Sequence, residues 1–104
     1  MTDAMDEYHT LYVQEARQHL GLLRASFEAL AADPTNRQAL EDARFAAHSL
    51  KGISLTMNYE QPASLAKEME SCLSLMLQGG LPFDGETLAG ALDQLEASVN
   101  ALSA

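Results

Sequence analysis

The spacing of apolar residues over the first thirty positions constrains the fold more than any other feature of the sequence. Between Tyr8 and Leu30, apolar side chains recur at steps of three and four, which is the repeat of one face of an α-helix. The residues in this stripe are Tyr8, Tyr12, Ala16, Leu20, Leu23, Phe27 and Leu30. The pattern predicts one long amphipathic helix over residues 5–32. It ends at Asp33-Pro34, because the residue before a proline is pushed out of the α conformation.

A second helix follows directly. Thr35 to Gln38 fits a capping box, in which the threonine side chain and the glutamine satisfy free backbone N–H groups at the helix start. Asn58 is suited to close this helix, because asparagine tolerates the left-handed conformation at a helix end. Between these ends runs a second apolar stripe, made of Leu40, Ala43, Ala47, Leu50, Ser54 and Met57.

Two more segments have the same character. Pro62 suits the first turn of a third helix, Gly79-Gly80 ends it, and Asp84 suits the N-cap of a fourth. Their stripes are Leu65, Met69, Cys72 or Leu73, and Met76 in the third helix, and Leu88, Leu92, Leu95, Val99 and Leu102 in the fourth. No segment alternates as a strand does. The sequence therefore predicts an all-α fold, an antiparallel up-down bundle of four helices.

Composition limits the possible partners and compartments. The chain has 104 residues, enough for one domain with one core, and a formal net charge of −9. Such a charge repels phosphate backbones, so we expect neither nucleic acid nor a membrane surface as partner. There is no long apolar run for a membrane span and no secretory leader pattern. The one cysteine, Cys72, is predicted to be a buried thiol, and we expect a cytoplasmic protein.

His48 is the residue in this sequence that most suggests chemistry. With 100° per residue, it lies about 140° from the centre of the second stripe, on the solvent side of the helix. Arg44 and Lys51 flank it at helical spacing. Two cations disfavour a protonated imidazole and would favour a phosphoryl group carried on the ring. Gly52, one turn on, costs about 1 kcal/mol relative to alanine in a helix and leaves space beside the ring.

The surface around this histidine is also predicted to be apolar. Phe45 and Leu55 fall outside the second stripe, close to the same outer surface, where a docking protein could use them. Together these features predict a nucleophilic histidine that serves a visiting protein. The alternative is that His48 is only a solubilising residue, as most exposed polar residues are.

Other candidate sites receive less support. His9 and His19 lie among polar neighbours on the first helix and are predicted to be solvated. No spacing of His, Cys, Asp or Glu suggests a metal site, and no glycine-rich phosphate loop suggests an ATP site. Acidic pairs such as Glu68/Glu70 are typical of a solvated helix surface, with Glu70 as an exception for the reason given with the resemblance below.

The stretch "RFAAHSLKGISLTMNYEQPASLAKEMESCL", residues 44–73, resembles the histidine-containing phosphotransfer (HPt) domain. It looks closest to the N-terminal domain of chemotaxis histidine kinases, the CheA family. "YVQEARQHLGLL" resembles the first helix of that family, "EALAADPTN" its first turn, and "AHSLKG" its phosphorylation motif. The resemblance implies that residues 1–104 form a single phosphotransfer domain, the N-terminal fragment of a longer kinase. Compared with the family, we expect a bundle without the fifth helix that is common there.

The resemblance also implies a mechanism. His48 would accept the γ-phosphoryl of ATP from a separate kinase domain, in cis or in trans, and pass it to an aspartate of a CheY-like or CheB-like response regulator. Lys51 corresponds to the family lysine that stabilises the phosphoryl group, and Glu70 to a glutamate that orients the histidine. Arg44, Phe45, Gly52 and Leu55 would contact the response regulator. ATP and Mg²⁺ would lie on the kinase domain and Mg²⁺ on the receiver, so no cofactor is expected in this chain.

The sequence departs from the family pattern near the site. "GISLTMNY" stands where the family often has "GMAGTMGF", and Lys67 replaces a histidine common in the third helix. These differences change the surface around His48 but leave the phosphoacceptor residues in place. Two other functions stay open at this point: a stand-alone phosphorelay protein, and a non-catalytic helical adaptor that uses the Phe45 and Leu55 surface.

Overall fold

The computed structural model describes residues 4–103, which form four helices. These are α1 (Ala4–Ala32), α2 (Arg37–Thr56), α3 (Glu60–Leu77) and α4 (Gly85–Ser103). Each helix packs on its neighbours in the chain, and α1 also packs on α4, which closes the bundle. The molecule measures 50 × 20 × 20 Å, and α1 alone accounts for about 43 Å of that length at 1.5 Å per residue. The predicted up-down four-helix bundle is confirmed.

The inner face of α2 is lined by small residues. Ala43, Ala46 and Ala47 are fully buried, so the neighbouring helices approach α2 closely. Larger side chains from all four helices fill the core around them, with Leu23, Leu30, Leu50, Leu73 and Leu95 completely enclosed. Because this face of α2 is committed to the core, its opposite face is the one that points to solvent.

The start of α2 differs from the capping box that the sequence predicted. Asn36, and not Thr35, is the N-cap, and its side-chain oxygen accepts a hydrogen bond from the backbone N–H of Ala39 at 3.0 Å. The Thr35 hydroxyl instead donates to the Asp33 carboxylate at 2.6 Å. Gln38 donates to Asp42 at 2.8 Å and does not reach back. Thr35 therefore belongs to the turn before the helix.

The other predicted helix ends are confirmed. Asn58 has φ of +60°, and the bonds from Asn58 N to Leu55 O and from Tyr59 N to Ser54 O form a Schellman motif that ends α2. Gly79, with φ of +80°, ends α3 in the same way. At the start of α4, the Asp84 carboxylate accepts from the backbone N–H of Thr87 at 3.2 Å.

Two positions of the predicted apolar stripes are not in the core. Tyr8 is 59% exposed, so the buried face of α1 begins at Tyr12 and not at Tyr8. Cys72 is partly exposed, because the neighbouring Leu73 takes the core position. The prediction of a buried thiol is wrong.

The prediction that His9 and His19 are solvated is also wrong. His9 is half-buried, and its Nε2 lies 2.7 Å from the carbonyl oxygen of Leu102 while its Nδ1 lies 2.5 Å from the Tyr59 hydroxyl. The ring therefore ties the start of α1 to the end of α4. His19 is partly buried, and its Nδ1 is enclosed without a hydrogen-bond partner among residues 4–103. Within that same range, no helix is both long and apolar enough to cross a membrane.

Candidate functional site

His48 stands on the outer face of α2, next to α3. Its side chain is 59% exposed, as the helical angle predicted. Its Nδ1 lies 2.7 Å from Oε2 of Glu70, which projects from α3. The two residues are 22 positions apart in the chain, and only the packing of α3 beside α2 brings them together.

Glu70 is held by two partners at once. Its Oε2 contacts His48, and its Oε1 lies 2.8 Å from Nζ of Lys51. Burial on its own would raise the pKa of Glu70, whose side chain is only 16% exposed. The hydrogen bonds from Lys51 and His48, together with the charge of Lys51, outweigh burial and lower the pKa of this carboxyl. Glu70 is therefore ionised at neutral pH.

An ionised carboxylate fixes the state of the histidine ring. A carboxylate can only accept hydrogen bonds, so Nδ1 of His48 must carry the proton and donate it to Glu70. In the neutral ring this leaves Nε2 with a free lone pair. Nε2 has no hydrogen-bond partner among the described residues. In the neutral ring, the site therefore presents an oriented Nε2 lone pair on an exposed surface, which is the chemistry of a nucleophile.

Lys51 can hold this arrangement and still bind another group. Its side chain is 25% exposed, and one of the three ammonium hydrogens is used by Glu70. The remaining donors are available to an anion that arrives next to His48. The structure does not bring Arg44 into the same network: Arg44 is half-buried and makes no hydrogen bond or ion pair within residues 4–103.

The remaining predicted site residues surround His48 with accessible surface. Phe45 is 62% exposed and Leu55 is 59% exposed. A Cβ at Gly52 would meet no heavy atom within 4 Å, so nothing inside this chain requires a glycine there. The space is open to another molecule. The part of the chain that the structure describes contains no group of three metal-ligating side chains.

Lys67 lies on the same groove as Lys51, although no functional role was predicted for it from the sequence. It is one turn before Glu70 on α3. The available signal was its spacing of three from Glu70, which places both on one side of the helix.

Comparisons with known proteins bear on the family and the fold. The family model described as "Hpt domain" matches residues 7–104. Among curated proteins, the chemotaxis protein CheA of Bacillus subtilis is 33% identical over 101 residues, which cover 94% of this chain and 15% of that protein. CheA of Listeria monocytogenes is 40% identical over 63 residues, covering 61% of this chain and 10% of the relative. The chain thus spans a small part of the length of these relatives.

A solved structure has the same fold. The CheA phosphotransferase domain from Thermotoga maritima superposes with a TM-score of 0.78 at 25% sequence identity. The match covers 97% of this chain and 91% of that domain. The similarity therefore extends over the whole bundle and is not limited to the segment around His48.

Proposed function

The chain belongs to the Hpt domain family, and on this premise we propose that it carries a phosphoryl group on Nε2 of His48 in two-component chemotaxis signalling. The observation that carries the proposal is the 2.7 Å contact between Nδ1 of His48 and the Glu70 carboxylate. That contact gives Nε2 a free lone pair while the ring stays 59% exposed. His48 is the phosphoacceptor, Glu70 is a positioning residue, and Lys51 stabilises the phosphoryl group.

Uptake of the phosphoryl group follows from the state of the ring. The Nε2 lone pair attacks the γ-phosphorus of ATP held by a kinase domain. A nitrogen–phosphorus bond forms, the bond from phosphorus to the bridging oxygen breaks, and its electron pair leaves with ADP. The ring then holds a proton on Nδ1 and phosphorus on Nε2, and so carries a positive charge. The Glu70 carboxylate faces that charge, and Lys51 faces the negative oxygens.

In the transfer step, the phosphoryl group leaves Nε2 of His48 for a new acceptor. An aspartate oxygen of a response-regulator receiver domain forms the new oxygen–phosphorus bond, and the electron pair of the nitrogen–phosphorus bond returns to Nε2. The kinase domain and the receiver are proposed partners, and the CheY-like or CheB-like identity of the receiver is part of the proposal. ATP and Mg²⁺ are assigned to those partners. A cytoplasmic location, predicted from the sequence, suits such a chain of transfers.

Labelling with a kinase domain and radioactive ATP tests the proposal. The chain should acquire a label that is stable in base and lost in acid, as a phosphoramidate is, and His48→Gln should acquire none. His48 is exposed, so the substitution should change the free energy of unfolding by no more than about 0.5 kcal/mol. Labelling of the variant to the level of the unmodified chain would refute the central assignment. That result would favour the alternative function, a helical adaptor that binds a partner through the exposed Phe45 and Leu55.

A further inference from the structure

A groove lies between α2 and α3, and its wall includes Lys51, the ion-pair partner of Glu70. It has a volume of about 420 Å³ and is lined by Lys51 and Leu55 from α2 and by Glu60, Ala63, Ser64 and Lys67 from α3. This size lies within the range of ligand-binding clefts. We call this feature the lysine groove.

The charge of the lysine groove contrasts with that of the whole chain. The net charge is −9, yet both lysines of the sequence, Lys51 and Lys67, line this one groove. Lys51 is already paired with Glu70 at 2.8 Å. Lys67 is exposed and makes no hydrogen bond or ion pair within residues 4–103. The groove therefore offers a cation that is unpaired among the described residues, and it also holds the Lys51 that binds Glu70.

The rest of the groove changes character with distance from His48. Leu55, 59% exposed, forms an apolar wall, and Ala63, 4% exposed, lies at the floor. Glu60 is seven residues before Lys67 on α3, which is about 10 Å along the helix axis. The groove thus has a cationic end at Lys51 and Lys67, an apolar middle and an acidic end.

We propose that the lysine groove receives a segment of the phosphoryl-accepting receiver, with an acidic side chain against Lys67, an apolar side chain against Leu55 and a basic group towards Glu60. This inference rests on the proposed function and adds the chemistry and the orientation of the partner. The acceptor is favoured because its reacting group is itself a carboxylate, which a chain of charge −9 repels at long range. Lys67 supplies the local attraction that offsets this repulsion. In the transfer, the nitrogen–phosphorus bond at Nε2 breaks and the aspartate oxygen–phosphorus bond forms.

Charges at the rim of an interface act mainly on the association rate and its salt dependence. The decisive variant is Lys67→Glu. The unmodified chain and the variant are phosphorylated with a CheA-type kinase domain and ATP, separated from both, and mixed with a CheY-like receiver domain and Mg²⁺. Loss of the label is followed by quenched flow at low salt and at about 0.5 M salt, where the screening length falls below about 5 Å.

We expect Lys67→Glu to slow transfer at least about tenfold at low salt, and by much less at high salt, since steering charges are screened. Arg17→Glu is the matched control. It makes the same change in charge on α1, where Arg17 contacts Ser103 of α4 away from the groove, and should slow transfer less than about twofold. Lys67→Gln should fall between the unmodified chain and Lys67→Glu. Both Lys67 variants change an exposed residue and should melt like the unmodified chain.

Glu60→Lys distinguishes the binding of an oriented segment from a general attraction between charges. It makes the groove more positive, so general attraction predicts faster transfer, whereas the proposed segment, with its basic group at Glu60, predicts transfer at least about threefold slower. Glu60→Gln, which only removes the charge, should give a smaller loss in the same direction. Faster transfer by Glu60→Lys would overturn the proposed orientation.

The outcomes distinguish this inference from the proposed function. If the unmodified chain takes up no label on His48, the proposed function fails. If it takes up and transfers the label, but Lys67→Glu and Arg17→Glu behave alike, only the groove proposal is overturned. If Lys67→Glu slows uptake from the kinase domain and leaves transfer unchanged, the groove serves the phosphoryl donor, and the assignment to the receiver is wrong.

Discussion

Replacing Glu70 by alanine is the sharpest test of how the site prepares His48. Glu70→Ala removes the acceptor for Nδ1–H at 2.7 Å and leaves Nε2 in place. A hydrogen bond to a charged group is worth about 1.5–3 kcal/mol, and about 1.36 kcal/mol corresponds to a factor of ten in rate. If the contact acts fully in the transition state, phosphoryl uptake should slow between about tenfold and about 150-fold. The reaction should still occur, because the nucleophile remains.

The assay measures the initial rate of labelling by a kinase domain at saturating ATP. Glu68→Ala is the matched control, since it removes the same charge from an exposed position on α3 that points away from Glu70 at 100° per residue. It should leave the rate within about twofold of the unmodified chain. Glu70→Ala should lower the free energy of unfolding by no more than about 1 kcal/mol at neutral pH, because its partners His48 and Lys51 are 59% and 25% exposed and solvent screens such pairs. An uptake rate equal to that of the unmodified chain would refute the positioning role.

The difference in stability between the unmodified chain and Glu70→Ala should depend on pH, and the pKa of Glu70 gives its sign. Burial alone would raise the pKa of Glu70, but the bonds from Lys51 and His48 lower it. A carboxyl with a depressed pKa stabilises the fold above its unfolded pKa, and this stabilisation is lost as the pH falls through the folded pKa. The unmodified chain should therefore unfold at higher urea concentration than Glu70→Ala at neutral pH. The difference should vanish in acid below the folded pKa of Glu70, and a difference that grew in acid would contradict the assignment.

Two further predictions concern Gly52 and the buried pair of Tyr12 and Ser54. A Cβ at Gly52 meets nothing within 4 Å, so Gly52→Ala should raise the free energy of unfolding by about 0.5–1 kcal/mol in urea titrations. Gly52→Gln should fold equally well but block transfer to the receiver; normal transfer would show that no partner uses this space. The Tyr12 hydroxyl lies 2.8 Å from Oγ of the fully buried Ser54, so Tyr12→Phe should cost about 1–3 kcal/mol by leaving that oxygen unpaired. Adding Ser54→Ala should cost less than the sum of the single changes, and strict additivity would mean that the two hydroxyls are not coupled.

The helices were predictable from the sequence because their apolar spacing and most of their end residues agree with the fold. The error at the start of α2 has a local cause. Thr35 and Asn36 are both good N-cap residues, and they are adjacent, so preference alone does not choose between them. The choice is made by Asp33, whose carboxylate takes the Thr35 hydroxyl at 2.6 Å and leaves Asn36 to cap the helix.

The spacing of apolar residues could not predict the contacts between segments that are distant in the chain. The exposure of His48 follows from its angle on α2, but the bond to Glu70 depends on how α3 lies beside α2, and the sequence indicated it only through a resemblance. The prediction that His9 is solvated was wrong for the same reason. Its neighbours on α1 are polar, which predicted solvation, whereas its actual partners Tyr59 and Leu102 are 50 and 93 residues away. A ring that binds across the bundle leaves no periodic signal in its own helix.

The two ring nitrogens of His48, the proposed nucleophile, have different surroundings: one contacts this chain and the other is open to a partner. The Nδ1 side of His48 is held by the contact with Glu70, and the α2–α3 packing behind it is close, with Ala47 and Leu73 fully buried. The Nε2 side has no partner in the described chain, as a carrier that meets a donor and then an acceptor requires. An open nucleophile cannot select its partners through its own contacts, so selection must lie in the surrounding surface. We therefore expect partner specificity to lie in the exposed Phe45 and in the lysine groove.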